Sequence, residues 1–112
     1  DYLLGENPTQ KIGVWGNSLG GAVALQAMAA DDRISFGLIE STFTELDVIV
    51  ADYQKRFTAG VGSKWLTDYV LKNAGKIADF NPEEVKPIIS AAKITNPVLI
   101  AHGDSDDNIS VT

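Results

Sequence analysis

Residues 11–25 read KIGVWGNSLGGAVAL, which is a short apolar run, a serine between glycines, and a run of small apolar residues. The first part, residues 11–16, has the length and composition of a buried strand. Residues 19–30 are apolar nearly all round, as in a helix that is packed on several sides. The stretch therefore predicts a strand that turns abruptly at Ser18 into a central helix.

Two further apolar runs of strand length follow, at residues 34–41 and 97–103. All three runs are continuous rather than alternating, which is typical of parallel strands covered on both faces. A strand, a helix and a second strand in succession predict a right-handed parallel crossover. We therefore predict an α/β fold with three layers, in which a mostly parallel sheet of about three strands lies between helices.

The connection between the second and third strands is about 55 residues long, far more than the dozen that a crossover needs. Apolar residues recur at helical spacing from Leu46 to Phe57, behind a capping pattern from Thr44 to Asp47. Ser63 is placed to cap a second helix that ends near Gly75. Residues 42–95 are therefore predicted to form a helical, cap-like insertion.

Composition limits the class of protein and its partners. The 112 residues suffice for one domain. Nine Lys and Arg against fifteen Asp and Glu give a net charge of −6, and without a basic cluster this argues against nucleic acid as a partner. No apolar run is long enough to span a membrane, and the absence of cysteine excludes disulfides and thiolate metal sites. The chain opens on Asp1 rather than Met, so we expect a piece of a longer protein whose preceding segment cannot be read. The location is therefore unknown from the sequence, with the cytoplasm favoured.

Gly16, Ser18 and Gly20 form a Gly-x-Ser-x-Gly pattern in the predicted turn, here called the serine turn (residues 16–20). A serine in such a turn projects its hydroxyl from the end of the sheet, and the glycines leave room that side chains would fill. The N–H of Leu19 then points to where a tetrahedral intermediate carries negative charge. The pattern predicts Ser18 as a nucleophile and Leu19 as an oxyanion donor. The alternative is a glycine-rich turn that binds phosphate or only packs tightly.

Two segments, GNSLGG at residues 16–21 and LIAHGDSDDNIS at residues 99–110, resemble the α/β-hydrolase superfamily, in its bacterial esterase and serine-peptidase-like branches. The resemblance covers nearly the whole chain. It implies that the acid of a catalytic triad follows three residues after the glycine of the His-Gly pair, at Asp106. It also implies a histidine base on a loop after one further strand, and a second oxyanion donor after an earlier strand. Neither lies within residues 1–112, so we expect a partial core.

His102 is the one histidine in the chain. In the strand order of the family, the first and third strands of this chain are not neighbours. Two strand spacings of about 4.8 Å then put His102 roughly 10 Å to the side of Ser18, whereas a base must lie within about 3 Å. We expect His102 to anchor the loop that carries Asp106, here called the acid loop (residues 102–112), rather than to act as the base. Asp104 and Asp107 remain alternatives to Asp106 as the acid.

These predictions divide the single domain, residues 1–112, into three parts. They are a strand–helix–strand unit at 11–41, the cap-like region at 42–95, and the acid-bearing strand and loop at 96–112. The acid loop also resembles the start of a calcium loop, but Ile109 stands where that loop requires glycine, so no metal is expected.

The leading hypothesis is a serine hydrolase that cleaves carboxyl esters, or small amides and peptides, through an acyl-enzyme on Ser18 without a cofactor. Residues 1–112 alone are then expected to be inactive, because the base lies outside them. The alternative is a non-catalytic binding or assembly module on the same scaffold. In either case, the unpaired edges of a three-stranded sheet predict association between copies of the chain.

Overall fold

The computed structural model of the chain describes residues 10–58 and 63–109, together with residues 2 and 5. These residues form three strands: β1 (Ile12–Asn17), β2 (Ile34–Glu40) and β3 (Val98–Ala101). Their helices are α1 (Leu19–Ala30), α2 (Leu46–Phe57), α3 (Lys64–Ala78) and α4 (Pro87–Ala91), with a 3₁₀ helix at Pro82–Glu84. None of the described helices combines the length and apolar character needed to cross a bilayer.

The three strands are parallel and lie in the order β1-β2-β3. The ladder continues past their last residues, because the Ser18 N–H donates to the Glu40 carbonyl at 2.9 Å and the Ser41 N–H donates to the Ala101 carbonyl at 2.9 Å. Ser18, Ser41 and His102 therefore succeed one another along the edge where the strands end. The α/β class and the parallel three-stranded sheet are confirmed.

The core lies between the sheet and α1. Met28 of α1 and Ile39 of β2 are 2% and 0% exposed. Gly37 allows the close approach of α1, since a Cβ at that position would lie 2.5 Å from the Met28 Sδ. Helix α4 packs against α1 on the same side of the sheet, and its Ala91 joins the cluster around Leu25. The last helix of the predicted cap-like region therefore belongs to the layer that covers the sheet.

The opposite face of the sheet carries large apolar side chains that are exposed in the described part of the chain. Trp15, Phe36 and Leu99 lie on that face and are 68%, 49% and 66% exposed. The Trp15 indole N–H donates to a Glu40 carboxylate oxygen at 2.9 Å across the same surface. Within residues 10–58 and 63–109, helices cover one face, so the described chain supplies two of the three expected layers.

The ends of two helices differ in detail from the predictions. Helix α2 has Glu45 as its N-cap and no side-chain cap hydrogen bond, so the capping pattern that starts at Thr44 does not form. Ser63 is the N-cap of α3, as predicted. That helix continues past Gly75 and ends at Ala78, and its C-cap residue, Asp79, adopts a left-handed conformation with φ 53°.

Candidate active site

Ser18 is the residue at which β1 becomes α1, and it is the N-cap of that helix. Its backbone has φ 54° and ψ −120°, a conformation that costs a residue with a Cβ of order 1–3 kcal/mol. Hydrogen bonds hold it from both sides. The N–H donates to the Glu40 carbonyl at 2.9 Å, and the Ser18 carbonyl accepts from the Gly21 N–H at 3.0 Å. The Thr42 hydroxyl donates to the same carbonyl at 2.9 Å.

Gly16 allows the first turn of α1 to lie against the end of β1. A Cβ at Gly16 would stand 2.2 Å from the Gly20 carbonyl oxygen and 2.7 Å from the Gly21 nitrogen. Both are backbone atoms, so rotation of a side chain cannot relieve the overlap. A side chain at position 16 would therefore overlap the backbone of the first turn of α1.

The surroundings of Gly20 are more open. A Cβ at Gly20 would meet no heavy atom within 4 Å in the described part of the chain, because this residue faces outwards. The close approach falls on Gly21, where a Cβ would lie 2.9 Å from the Thr42 Cβ and 3.1 Å from its Oγ1. Sequence reasoning missed Gly21, although the Gly-Gly pair in GNSLGG was the signal available.

The Ser18 side chain is half-buried, and its hydroxyl has no hydrogen-bond partner among the residues that the structure describes. The next residue, Leu19, is 59% exposed. Its N–H belongs to the first turn of α1, where N–H groups lack an intrahelical acceptor and the helix carries positive partial charge. A half-buried hydroxyl and an N–H without an intrahelical acceptor are therefore adjacent in sequence.

Asp106 is the sheltered carboxylate of the acid loop. Its side chain is 16% exposed, whereas Asp104 and Asp107 are exposed. One of its oxygens, Oδ1, accepts hydrogen bonds from the Asn108 N–H at 2.8 Å and the Ile109 N–H at 3.0 Å. The fold therefore distinguishes Asp106 from the two neighbouring aspartates that sequence reasoning left as alternatives.

The pKa of Asp106 lies below its ordinary value. The main causes are the N–H groups of Ile109 and Asn108, which stabilise the charged carboxylate, and burial opposes them. His102 and the Ser41 side chain lower the pKa further. Asp106 is consequently ionised at neutral pH, the state in which a carboxylate can accept a hydrogen bond from an imidazolium.

His102 lies on the acid loop and away from Ser18. Its Nε2 is 2.8 Å from the Ile109 carbonyl oxygen, which only accepts, so this nitrogen donates. The same Nε2 is 3.5 Å from the Asp106 Oδ2. Because β2 separates β1 from β3, His102 is two strand positions from Ser18, about 10 Å. These contacts agree with the prediction that His102 anchors the acid loop.

A cavity of about 380 Å³ lies next to the acid loop. Apolar side chains of α1, α2 and α4 form most of its wall, and His102 and Thr42 border it. Ser18 is not among the residues that line it, so we assign it no substrate.

The model of the prolyl oligopeptidase family matches residues 3–112. The match includes the serine turn, all three strands and the described part of the acid loop. A search of curated proteins and a search of solved structures gave no significant match.

Gly16→Ala should lower the free energy of unfolding by about 3 kcal/mol, because the new methyl group meets backbone that cannot move aside. Gly20→Ala is the matched control, with open space around its Cβ, and should be neutral or stabilising by up to about 1 kcal/mol. Urea denaturation followed by circular dichroism measures both. Equal effects of the two substitutions would contradict the close packing described at Gly16.

Asp106→Asn should change the pH dependence of stability. A carboxyl group with a depressed folded-state pKa stabilises the fold fully above its unfolded value of about 3.9, and this contribution is lost as the pH falls through the folded-state pKa. The difference in unfolding free energy between the parent and Asp106→Asn should therefore be constant above about pH 5 and shrink below it. Asp107→Asn, at an exposed position, is the control. A difference that grows on acidification would refute the assigned contacts of Asp106.

Proposed function

The chain belongs to the prolyl oligopeptidase family, an α/β-hydrolase-type family, and from this membership we propose that it carries the nucleophile and the acid of a serine hydrolase. Membership supports hydrolase chemistry on a serine. The roles of individual residues are inferred from the geometry at the ends of the strands.

The observation that carries the proposal is the backbone of Ser18, with φ 54° and ψ −120° at the start of α1. A serine that only packed in a turn would gain nothing from such strain, whereas a nucleophile gains an exposed hydroxyl beside helix N–H groups. The proposed roles follow from this placement. Ser18 attacks the carbonyl carbon, Leu19 N–H stabilises the resulting oxyanion, and Gly16 and Gly20 belong to the turn that presents them.

The proposed reaction passes through an acyl-enzyme. The Ser18 Oγ bonds to the carbonyl carbon and its proton passes to a histidine base, which then protonates the alcohol or amine that leaves. Water cleaves the ester on Ser18 in the reverse sequence. Asp106 is proposed to accept a hydrogen bond from the base and to stabilise its imidazolium form. His102 is the one histidine in the chain and is engaged by the Ile109 carbonyl, so the base is proposed to lie outside residues 1–112.

The proposed substrates are compounds with a carbonyl carbon that serine can acylate. The name of the family, prolyl oligopeptidase, favours the amide bonds of short peptides. Carboxyl esters are included because the same hydroxyl and oxyanion donor act on both, and an ester has the better leaving group.

A second candidate function is that of a non-catalytic binding or assembly module, which has the same fold but does not convert a substrate. The exposed sheet face that carries Trp15, Phe36 and Leu99 favours it, since apolar surface of this kind is typical of an interface. Association between copies of the chain through the sheet edges is proposed under both candidates. Dependence of turnover on Ser18 separates the two candidates.

Ser18→Ala in the complete protein should reduce turnover of a short aryl ester by at least about a thousandfold, because the acyl-enzyme can no longer form. Ser35→Ala, at the opposite end of β2, is the matched control and should keep the parent rate. Circular dichroism should give the same fold for both variants. Retention of turnover by Ser18→Ala would exclude Ser18 as the nucleophile.

Residues 1–112 alone should not react with a fluorophosphonate probe, because no described group can take the Ser18 proton. The complete protein should be labelled under the same conditions, and intact mass spectrometry detects the adduct in each case. Labelling of Ser18 in the isolated chain would show that a base outside residues 1–112 is not required.

A further inference from the structure

The end of β2 lies between the serine turn and the acid loop and is bonded to both neighbouring strands. The Glu40 carbonyl accepts the Ser18 N–H at 2.9 Å, and the Ser41 N–H donates to the Ala101 carbonyl at 2.9 Å. Ser41 and Thr42 are therefore the first residues that follow the central strand.

Thr42 contacts the strained residue directly. Its hydroxyl donates to the Ser18 carbonyl at 2.9 Å, the carbonyl that also accepts the Gly21 and Ala22 N–H groups at 3.0 and 3.3 Å. Access depends on Gly21, because a Cβ at that position would lie 3.1 Å from the Thr42 Oγ1. A β-branched side chain has few rotamers, so this hydroxyl is held in place against the Ser18 carbonyl.

We propose that Thr42 is a positioning residue, whose hydroxyl fixes the serine turn through the Ser18 carbonyl. The proposal rests on the proposed function, since it concerns the placement of the nucleophile. Thr42 acts through Ser18.

A packing role and a positioning role predict different substitution patterns at Thr42. Thr42→Val keeps the branched shape and removes the donor, whereas Thr42→Ser keeps the donor and removes a methyl group. If the residue only fills space, serine is the more harmful replacement. If it positions Ser18, valine is the more harmful one.

The test uses the complete protein and a short aryl ester, with kcat and KM measured separately. Thr42→Val should lower kcat roughly three- to tenfold with little change in KM, the effect expected for one lost hydrogen bond that acts on the reacting group. Thr42→Ser should retain most of kcat. Thr95→Val is the matched control, because Thr95 is exposed before β3 at the far edge of the sheet.

A Thr42→Val enzyme with parental kcat, or equal losses in Thr42→Val and Thr42→Ser, would overturn this role. Circular dichroism should give the parent spectrum for both variants, so that a loss of kcat does not reflect unfolding.

Failure of this inference and failure of the proposed function give different results. Turnover that depends on Ser18 but is insensitive to Thr42→Val refutes the positioning role of Thr42 alone. Turnover that survives Ser18→Ala refutes the proposed nucleophile, and the positioning role with it.

Discussion

The first turn of α1 lies directly against the end of β1, and Gly16 is the residue that allows this contact. The Gly20 carbonyl occupies the space that a Cβ at position 16 would need. The chain consequently cannot turn gradually between the strand and the helix. The change of direction falls on Ser18, whose φ is positive. The exposed hydroxyl, the adjacent Leu19 N–H and the positive end of α1 all follow from that one close approach. Burial of α1 against the sheet offsets the local strain.

The parallel arrangement of the strands is the second constraint on where the site residues lie. It brings the ends of β1, β2 and β3 to one edge of the sheet, which is where α/β proteins bind their ligands. Among the described residues, the non-glycine positions with positive φ are Ser18, Ser41 and Asp79. Two of the three lie side by side at this edge. Strain concentrated where the proposed chemistry occurs is typical of functional sites.

The same order limits what His102 can do. It lies after β3, with β2 between it and Ser18, and the Ile109 carbonyl and Asp106 engage its Nε2. The chain therefore holds its proposed nucleophile at the end of β1 and its proposed acid on the loop after β3, with the end of β2 between them. From that position the Thr42 hydroxyl reaches the Ser18 carbonyl.

The sequence by itself determined the elements and their class. Residues 19–30 were predicted as a helix and form α1 with those bounds, and the three apolar runs form β1, β2 and β3. These features are encoded locally, in hydrophobic periodicity and in glycines next to a serine. Only the tertiary structure decided that Gly21 rather than Gly20 needs to be glycine, that Thr42 reaches the Ser18 carbonyl, and that Asp106 accepts two N–H groups. Contacts such as that between Thr42 and Ser18 join residues far apart in sequence, so they exist only once the helix and the strands have packed.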